Sequence, residues 1–235
     1  MAIKLAERRV VLRFEDTVIA TDPERGAATE AINLSIFGGD LVLIHFARLE
    51  LTTRFADVCS GLDQPIRGGV YFLGNNWQRL PADQSNAMRG RIGRVFAVGS
   101  WMEHLPLIEN ILLPQLHHTR RSVNRIREEA ATLAELFGLP GLPLGLPGNF
   151  MPVDLQRAAC VRAFLGQPWL ILLEEPTAGM GPNFLFALIN AIRRVRDRGA
   201  AVIWMTGRDE VWNDSSIPAA YRYRAAARKL MEVKM

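Results

Sequence analysis

The stretch Arg162-Ala-Phe-Leu-Gly-Gln-Pro-Trp-Leu-Ile-Leu-Leu-Glu-Glu-Pro-Thr177 decides how this chain reads. A helix ends near Leu165, and the chain turns through Gly166-Gln167-Pro168. It then runs apolar from Trp169 to Leu173 and stops at the acidic pair Glu174-Glu175 before Pro176. A continuous apolar run, rather than an alternating one, is expected of a parallel strand covered on both faces. Leu41 to Ile44, after Gly38-Gly39-Asp40, and Ala200 to Met205, after Arg198-Gly199, read the same way. Before the last of these, Phe184, Ala187, Leu188, Ala191, Ile192 and Val195 form a helical apolar stripe, with Arg193, Arg194, Arg196 and Arg198 on the other face. Further helices are expected at Thr52 to Leu62, Ser122 to Phe137 and Val153 to Leu165. The Pro- and Gly-rich stretch Gly138 to Gly148 is a rigid connector. The layout is an α/β core, about residues 1–97 and 166–235, with a helical insertion at about 98–165.

Composition agrees with a folded domain. Of 235 residues, 49% are hydrophobic and 22% charged, which excludes a disordered chain. The net charge of +4 selects no partner by itself. Cys59 and Cys160 lack metal or redox spacing and read as buried free thiols in a reducing cytosol. The apolar runs fall far short of the roughly 20 residues of a membrane span. Met1 to Val10 has no apolar segment of a secretory signal. The expected location is therefore cytoplasmic, with peripheral membrane contact only. The histidines show no ligand spacing, so no metal site is expected, and His117-His118 reads as a surface pair on a loop. Basic clusters at Arg120, Arg121, Arg125 and Arg127, and at Arg222, Arg224, Arg228 and Lys229, read as solvated faces. No nucleic-acid partner is expected, since no groove-reading motif accompanies them.

The opening stretch resembles the Walker B region of ABC-transporter ATPase subunits, A-R-A-L-x-x-x-P-x-L-L-L-L-D-E-P-T in that family. Ile92 to Phe96 resembles the strand before the Q-loop. His104-Leu105 and Ile108 to Pro114 resemble the family's H-L-T-V-x-E-N-V-x-L-P stretch. Arg79 to Arg91 resembles lipoprotein-releasing and macrolide-export ATPases. The resemblance spans about residues 10–233. It implies a P-loop NTPase-like core with a parallel sheet, an amino-terminal antiparallel portion and a helical insertion.

The nucleotide motifs depart from that family. A P-loop, G-x-x-x-x-G-K-[ST], needs glycines so that backbone N–H groups can wrap phosphates, and a lysine to neutralise them. Laid on this chain the pattern falls on His45, Phe46, Ala47, Arg48, Leu49, Glu50, Leu51 and Thr52, followed by Thr53. His45 and Glu50 fill the glycine positions, Leu51 the lysine position, and only the Thr52 hydroxyl remains. A carboxylate at Glu50, 4 Å from a phosphate charge, costs about 4 kcal/mol at an effective dielectric of 20, about a thousandfold in affinity. Alternatively, Glu50 and Arg48 fill the anion site themselves at the helix N-terminus.

The resemblance places the signature L-S-G-G-Q on Phe150, Met151, Pro152, Val153 and Asp154, and the Q-loop glutamine on Ala97. The switch histidine falls on Gly207, the D-loop aspartate on Gly181, and the adenine-stacking aromatic near Ala20 or Thr21. Glu174 stands for the Walker B aspartate. Glu175 matches the catalytic base, whose bland reading is a strand-end carboxylate bonded to a nearby turn. Trp101, Met102, His104, Leu105 and Leu107 fall where relatives dock a permease, or else in the core of the insertion.

The expectation is a catalytically impaired ABC-type subunit on a membrane permease, paired with a second ATPase-like subunit of the same or a different chain, with lipid or lipoprotein as the expected class of cargo. No cofactor is expected. Two rivals stand beside it. One is an active ATPase binding Mg-ATP through Arg48, Thr52, Glu174 and Glu175; the other is a nucleic-acid adaptor.

Overall fold

The computed structural model describes residues 8–22, 27–97, 99–226 and 228–234. Residues 1–7 of the amino-terminal stretch lie outside them. In chain order the elements begin with β1 (Val10–Val18), β2 (Ala20–Asp22), β3 (Ala27–Ala28), β4 (Ile32–Phe37), β5 (Leu41–Phe46) and α1 (Leu49–Cys59). Next come β6 (Arg67–Phe72), β7 (Asn75–Asn76), α2 (Ala82–Arg89) and β8 (Ile92–Val95). Three helices follow without an intervening strand: α3 (Leu107–His118), α4 (Val123–Leu136) and α5 (Pro152–Phe164). The chain closes with β9 (Leu170–Glu174), α6 (Pro182–Asp197), β10 (Ala201–Thr206), α7 (Asp209–Trp212), β11 (Tyr221–Ala226) and β12 (Lys229–Glu232).

The continuous apolar runs lie in the middle of a six-stranded sheet of order β12-β11-β5-β10-β9-β8. All pairings are parallel except β11 with β12. Side-chain alternation explains the run of apolar residues. Leu41, Leu43, Ile171, Leu173, Val202 and Trp204 face the cluster built with α3 to α6. Val42, Ile44, Leu170, Leu172, Ile203 and Met205 face the cluster shared with α1 and the second sheet. That second sheet, β4-β1-β6-β7, is antiparallel and supplies Leu12, Phe14, Ile36 and Phe72 to the same cluster. Full burial of such side chains stabilises by about 1.5–3 kcal/mol each.

Helix α4 is capped by Ser122, whose side chain accepts from the Arg125 N–H. Pro152, with no N–H to lose, opens α5. The apolar faces of α3, α4 and α5 merge into the sheet's cluster. His117 and His118 form the last turn of α3 rather than a loop, with rings 4.7 Å apart. Among the described residues, no helix is long and apolar enough to cross a membrane.

Both basic clusters hold the fold in part. Arg121 pairs with Glu129, and the buried Arg222 donates to the carbonyls of Trp212, Asp214 and Ile217. Arg228 donates to the Ala28 carbonyl at 2.7 Å, and Lys229 lies 3.5 Å from Glu30.

Cys59 and Cys160 are free and fully buried. Burial pushes both thiols well above the ordinary thiol range. An aromatic disulfide reagent at neutral pH is expected to label neither thiol until denaturant is added. Prompt labelling of the native protein would contradict this burial.

Candidate functional site

Strand β5 runs through Phe46, and α1 begins at Leu49, so only Ala47 and Arg48 connect them. With neither glycine nor a longer loop, the strand passes almost directly into the helix. Arg48, in extended conformation, is the residue before the first turn, and its side chain makes no cap. Its guanidinium donates instead to the Thr21 carbonyl at 3.3 Å. Glu50 is exposed on the first turn of α1. Arg48 and Glu50 therefore do not close on each other over the helix N-terminus.

The two threonines divide their roles. Thr52 is buried, and its hydroxyl donates to the Leu49 carbonyl at 2.6 Å. Thr53 donates to Glu174 Oε2 at 2.7 Å. In P-loop NTPases the loop's Ser/Thr and the Walker B acid hold one magnesium ion between them. Here Thr53, not Thr52, is the hydroxyl beside the Walker B carboxylate. That contact is matched when the P-loop pattern is laid one residue later, with Phe46 and Leu51 at the glycines, Thr52 at the lysine and Thr53 at [ST]. Glu50 then stands at a position that needs no glycine. The lysine is missing in either alignment.

Glu174 closes β9 and is fully buried. Its Oε1 accepts from Arg94 Nε at 2.7 Å. Arg94 comes from β8 and is itself buried; its Nη1 lies 2.6 Å from Asp57 Oδ1 and its Nη2 donates to the Thr53 carbonyl at 3.3 Å. Neither Arg94 nor Asp57 is marked by a family motif. The available signal was a charged residue inside the short strand Ile92-Gly-Arg-Val95, at a position that faces the core.

Glu175 has a left-handed backbone, φ +45°, unusual for a side chain of this size. Its Oε2 accepts from the Thr206 hydroxyl at 3.0 Å, and its Oε1 accepts from the Gly207 N–H. The carboxylate at the base position is thus bonded to the turn after β10. Gly207 is packed close to β5, since a Cβ there would sit 3.0 Å from the Phe46 carbonyl oxygen. A histidine at this position would press on that carbonyl.

The remaining positions spread along the helical side. Ala97 lines an open cleft of about 730 Å³ with Leu49, Glu50, Thr53, Asp57 and Arg94. Phe150 is half-buried, Met151 is 67% exposed, and Pro152 and Val153 begin α5. Asp154 pairs with Arg157 at 3.0 Å. Trp101 lies under the Arg162 guanidinium, 4.3 Å from its ring centre, and burial pushes that arginine's pKa down to about 10. Met102 and His104 are exposed, Leu105 is half-buried, and Leu107 is buried. Asn110 fixes this segment by bonding both the N–H and the carbonyl of Met102. The core reading thus holds for Leu107, while Met102 and His104 remain on the surface.

No family model matches the chain. Curated proteins do. "Macrolide export ATP-binding/permease protein MacB" of Chlorobium luteolum is 24% identical over 185 residues, covering 78% of this chain and 28% of that protein. "Uncharacterized ABC transporter ATP-binding protein MJ1508" of Methanocaldococcus jannaschii is 26% identical over 185 residues, 78% of this chain and 82% of that one. "Lipoprotein-releasing system ATP-binding protein LolD 1" of Chlorobium chlorochromatii is 26% identical over 167 residues, 69% and 68% of the two chains. The proteins this chain is similar to are named as ATP-binding proteins of ABC transporter, export or lipoprotein-releasing systems. The chain thus spans under a third of the macrolide exporter and most of the shorter relatives.

The fold is that of an ABC cassette. The dimeric bacterial ABC transporter cassette MJ0796 superposes with a TM-score of 0.82 at 20% identity, over 95% of this chain and 98% of that one. A post-hydrolysis state of the same cassette, bound to ADP and Pi, gives 0.81 at 19% identity, again over 95% and 98%. These findings correct the expectation that no cofactor belongs here. The relatives are named as ATP-binding proteins, and a cassette of the same fold carries ADP and Pi. The physical reason is the alignment fixed by Thr53: with Glu50 exposed and off the glycine position, the expected repulsion of phosphate is not built into the turn. Mg-ATP is the group against which this site has to be weighed. Its oxygen donors, the Thr53 hydroxyl and the Glu174 carboxylate, suit magnesium in kind.

Proposed function

We propose that this chain is the ATP-binding-cassette subunit of a membrane permease assembly and that it is impaired in ATP hydrolysis. Adenine nucleotide is its ligand class, as it is for the relatives. The observation that carries the reading is the tether on Glu175. A carboxylate that accepts from Thr206 and Gly207 is held against the turn by one bond on each oxygen, which restrains it from swinging to orient a water. The missing lysine and the two-residue junction between β5 and α1 act in the same direction. The subunit then serves as a structural or regulatory partner, peripheral on the cytoplasmic face of the membrane. The segment from Trp101 to Leu105 contacts the permease, and a second cassette-like subunit pairs with the chain, as in the dimeric neighbour. The insertion at about 98–165 presents this docking segment. Similarity to a lipoprotein-releasing and a phospholipid-transport protein supports a lipid or lipoprotein cargo, against comparable similarity to macrolide-export and sulfate/thiosulfate-import proteins.

The test is steady-state phosphate release from purified protein, wild type against Glu175→Gln, with saturating Mg-ATP. Equal, background-level rates are expected. Turnover that disappears in Glu175→Gln would establish an active ATPase instead. A melting shift with ATP is read in parallel, since ligand at 100 times its Kd stabilises by about 2.7 kcal/mol.

A further inference from the structure

The guanidinium of Arg94 lies where the P-loop hydroxyl and the Walker B acid come together. Its Nε holds Glu174 Oε1 at 2.7 Å, and its Nη1 holds Asp57 Oδ1 at 2.6 Å. Thr53 gives its carbonyl to Arg94 and its hydroxyl to Glu174 Oε2. Both oxygens of the buried Glu174 carboxylate are therefore taken, one by a cation and one by a hydroxyl. The Phe96 ring stacks on the guanidinium, whose central carbon is 4.3 Å from the ring centre.

The Glu174 carboxylate and the Thr53 hydroxyl beside it are hard-oxygen donors of the kind magnesium takes, and Asp57 lies across the Arg94 guanidinium from Glu174. Their charge, however, is already met by the Arg94 guanidinium. A divalent cation reaching Glu174 would face that positive charge at contact distance. Arg94 also borders the open cleft of about 730 Å³, which Glu50, Asp57 and Asp63 line. The guanidinium thus borders open space, which the exposed Glu50 and the Arg54–Asp63 pair share.

We propose that Arg94 is a positioning residue that competes with the divalent cation for Glu174 and so sets the threshold at which metal–nucleotide engages this cassette. The proposal rests on reading the chain as a nucleotide-dependent cassette and deepens that reading. It adds a gate made of this chain's own arginine.

The experiment is a melting-temperature titration with MgCl₂ alone on wild type, Arg94→Gln and Arg94→Gln/Glu174→Gln. Magnesium is expected to stabilise Arg94→Gln at a concentration about tenfold lower than wild type, the scale on which residues supporting metal ligands act. The double variant is expected to lose that gain. Equal responses of wild type and Arg94→Gln, or no response of Arg94→Gln at millimolar magnesium, would overturn the proposal. So would a gain that survives in the double variant. Should Arg94→Gln fail to fold, Arg94→Lys takes its place. It keeps the charge without the fork that spans two carboxylates, and a smaller shift in the same direction is expected; no shift overturns the proposal. A separate arm adds ATP in EDTA. Absence of any shift there, in every variant, counts against the nucleotide reading, while the magnesium titrations still decide Arg94.

Discussion

Replacing Glu174 with alanine is expected to destabilise the protein by about 3 kcal/mol or more. For a chain of this size that lowers the melting temperature by roughly 6–12 °C. The cause is not a lost favourable pair counted at face value. Taking two charges out of water costs about as much as their attraction returns, so a buried pair is weak evidence for stability. Breaking it is different. Glu174 is fully buried and Arg94 nearly so, and the truncated site leaves a guanidinium facing a cavity with only Asp57 and the Thr53 carbonyl. Thr53 loses its hydroxyl partner at the same time. The double variant Arg94→Met/Glu174→Met is expected to unfold closer to wild type than Glu174→Ala does, because both charges leave together. Urea midpoints at neutral pH decide it. A Glu174→Ala midpoint within error of wild type would mean that the cluster does not hold in solution.

That cluster also shows which information was legible in sequence. The central strands were, because the runs 41–44, 170–173 and 201–205 within β5, β9 and β10 are buried and apolar without interruption. The helices α4 and α6 were, because each carries an apolar stripe at helical spacing, and α5 was as the helix leading into β9, although its buried residues run almost consecutively from Ala158 to Phe164. The start of α1 was not. Expected at Thr52, it begins at Leu49, since a loop without glycine has no reason to stay open. The register of the P-loop pattern was not legible either, for a related reason. A pattern that has lost its glycines and lysine keeps no anchor along the chain, and only the contact between Thr53 and Glu174, 121 residues apart, supplies one. Arg94 was invisible for the same cause, its two carboxylate partners lying 37 and 80 positions away. For Glu175 the reading as a strand-end carboxylate bonded to a nearby turn matches its bonds to Thr206 and Gly207.

Gly93→Ala is expected to cost about 3 kcal/mol or more, at or beyond the upper end of ordinary overpacking. Gly93 is the second residue of β8 and is paired with Ile171 of β9. An added Cβ would lie 1.8 Å from the Ala163 carbonyl oxygen of α5. Neither side can give cheaply. The obstacle is backbone inside a helix whose residues Ala158 to Phe164 are all but one buried, and the strand is fixed in register on the sheet. Relief would require β8 to move away from α5, which also displaces the adjacent Arg94 from Glu174. Stability and metal gating are therefore coupled through one missing methyl group. Gly148→Ala is the control, since nothing lies within 4 Å of its Cβ position; a change within about 0.5 kcal/mol is expected there. If Gly93→Ala unfolds at the same urea concentration as Gly148→Ala, the close seating of β8 against α5 is wrong, and the placement of Arg94 fails with it.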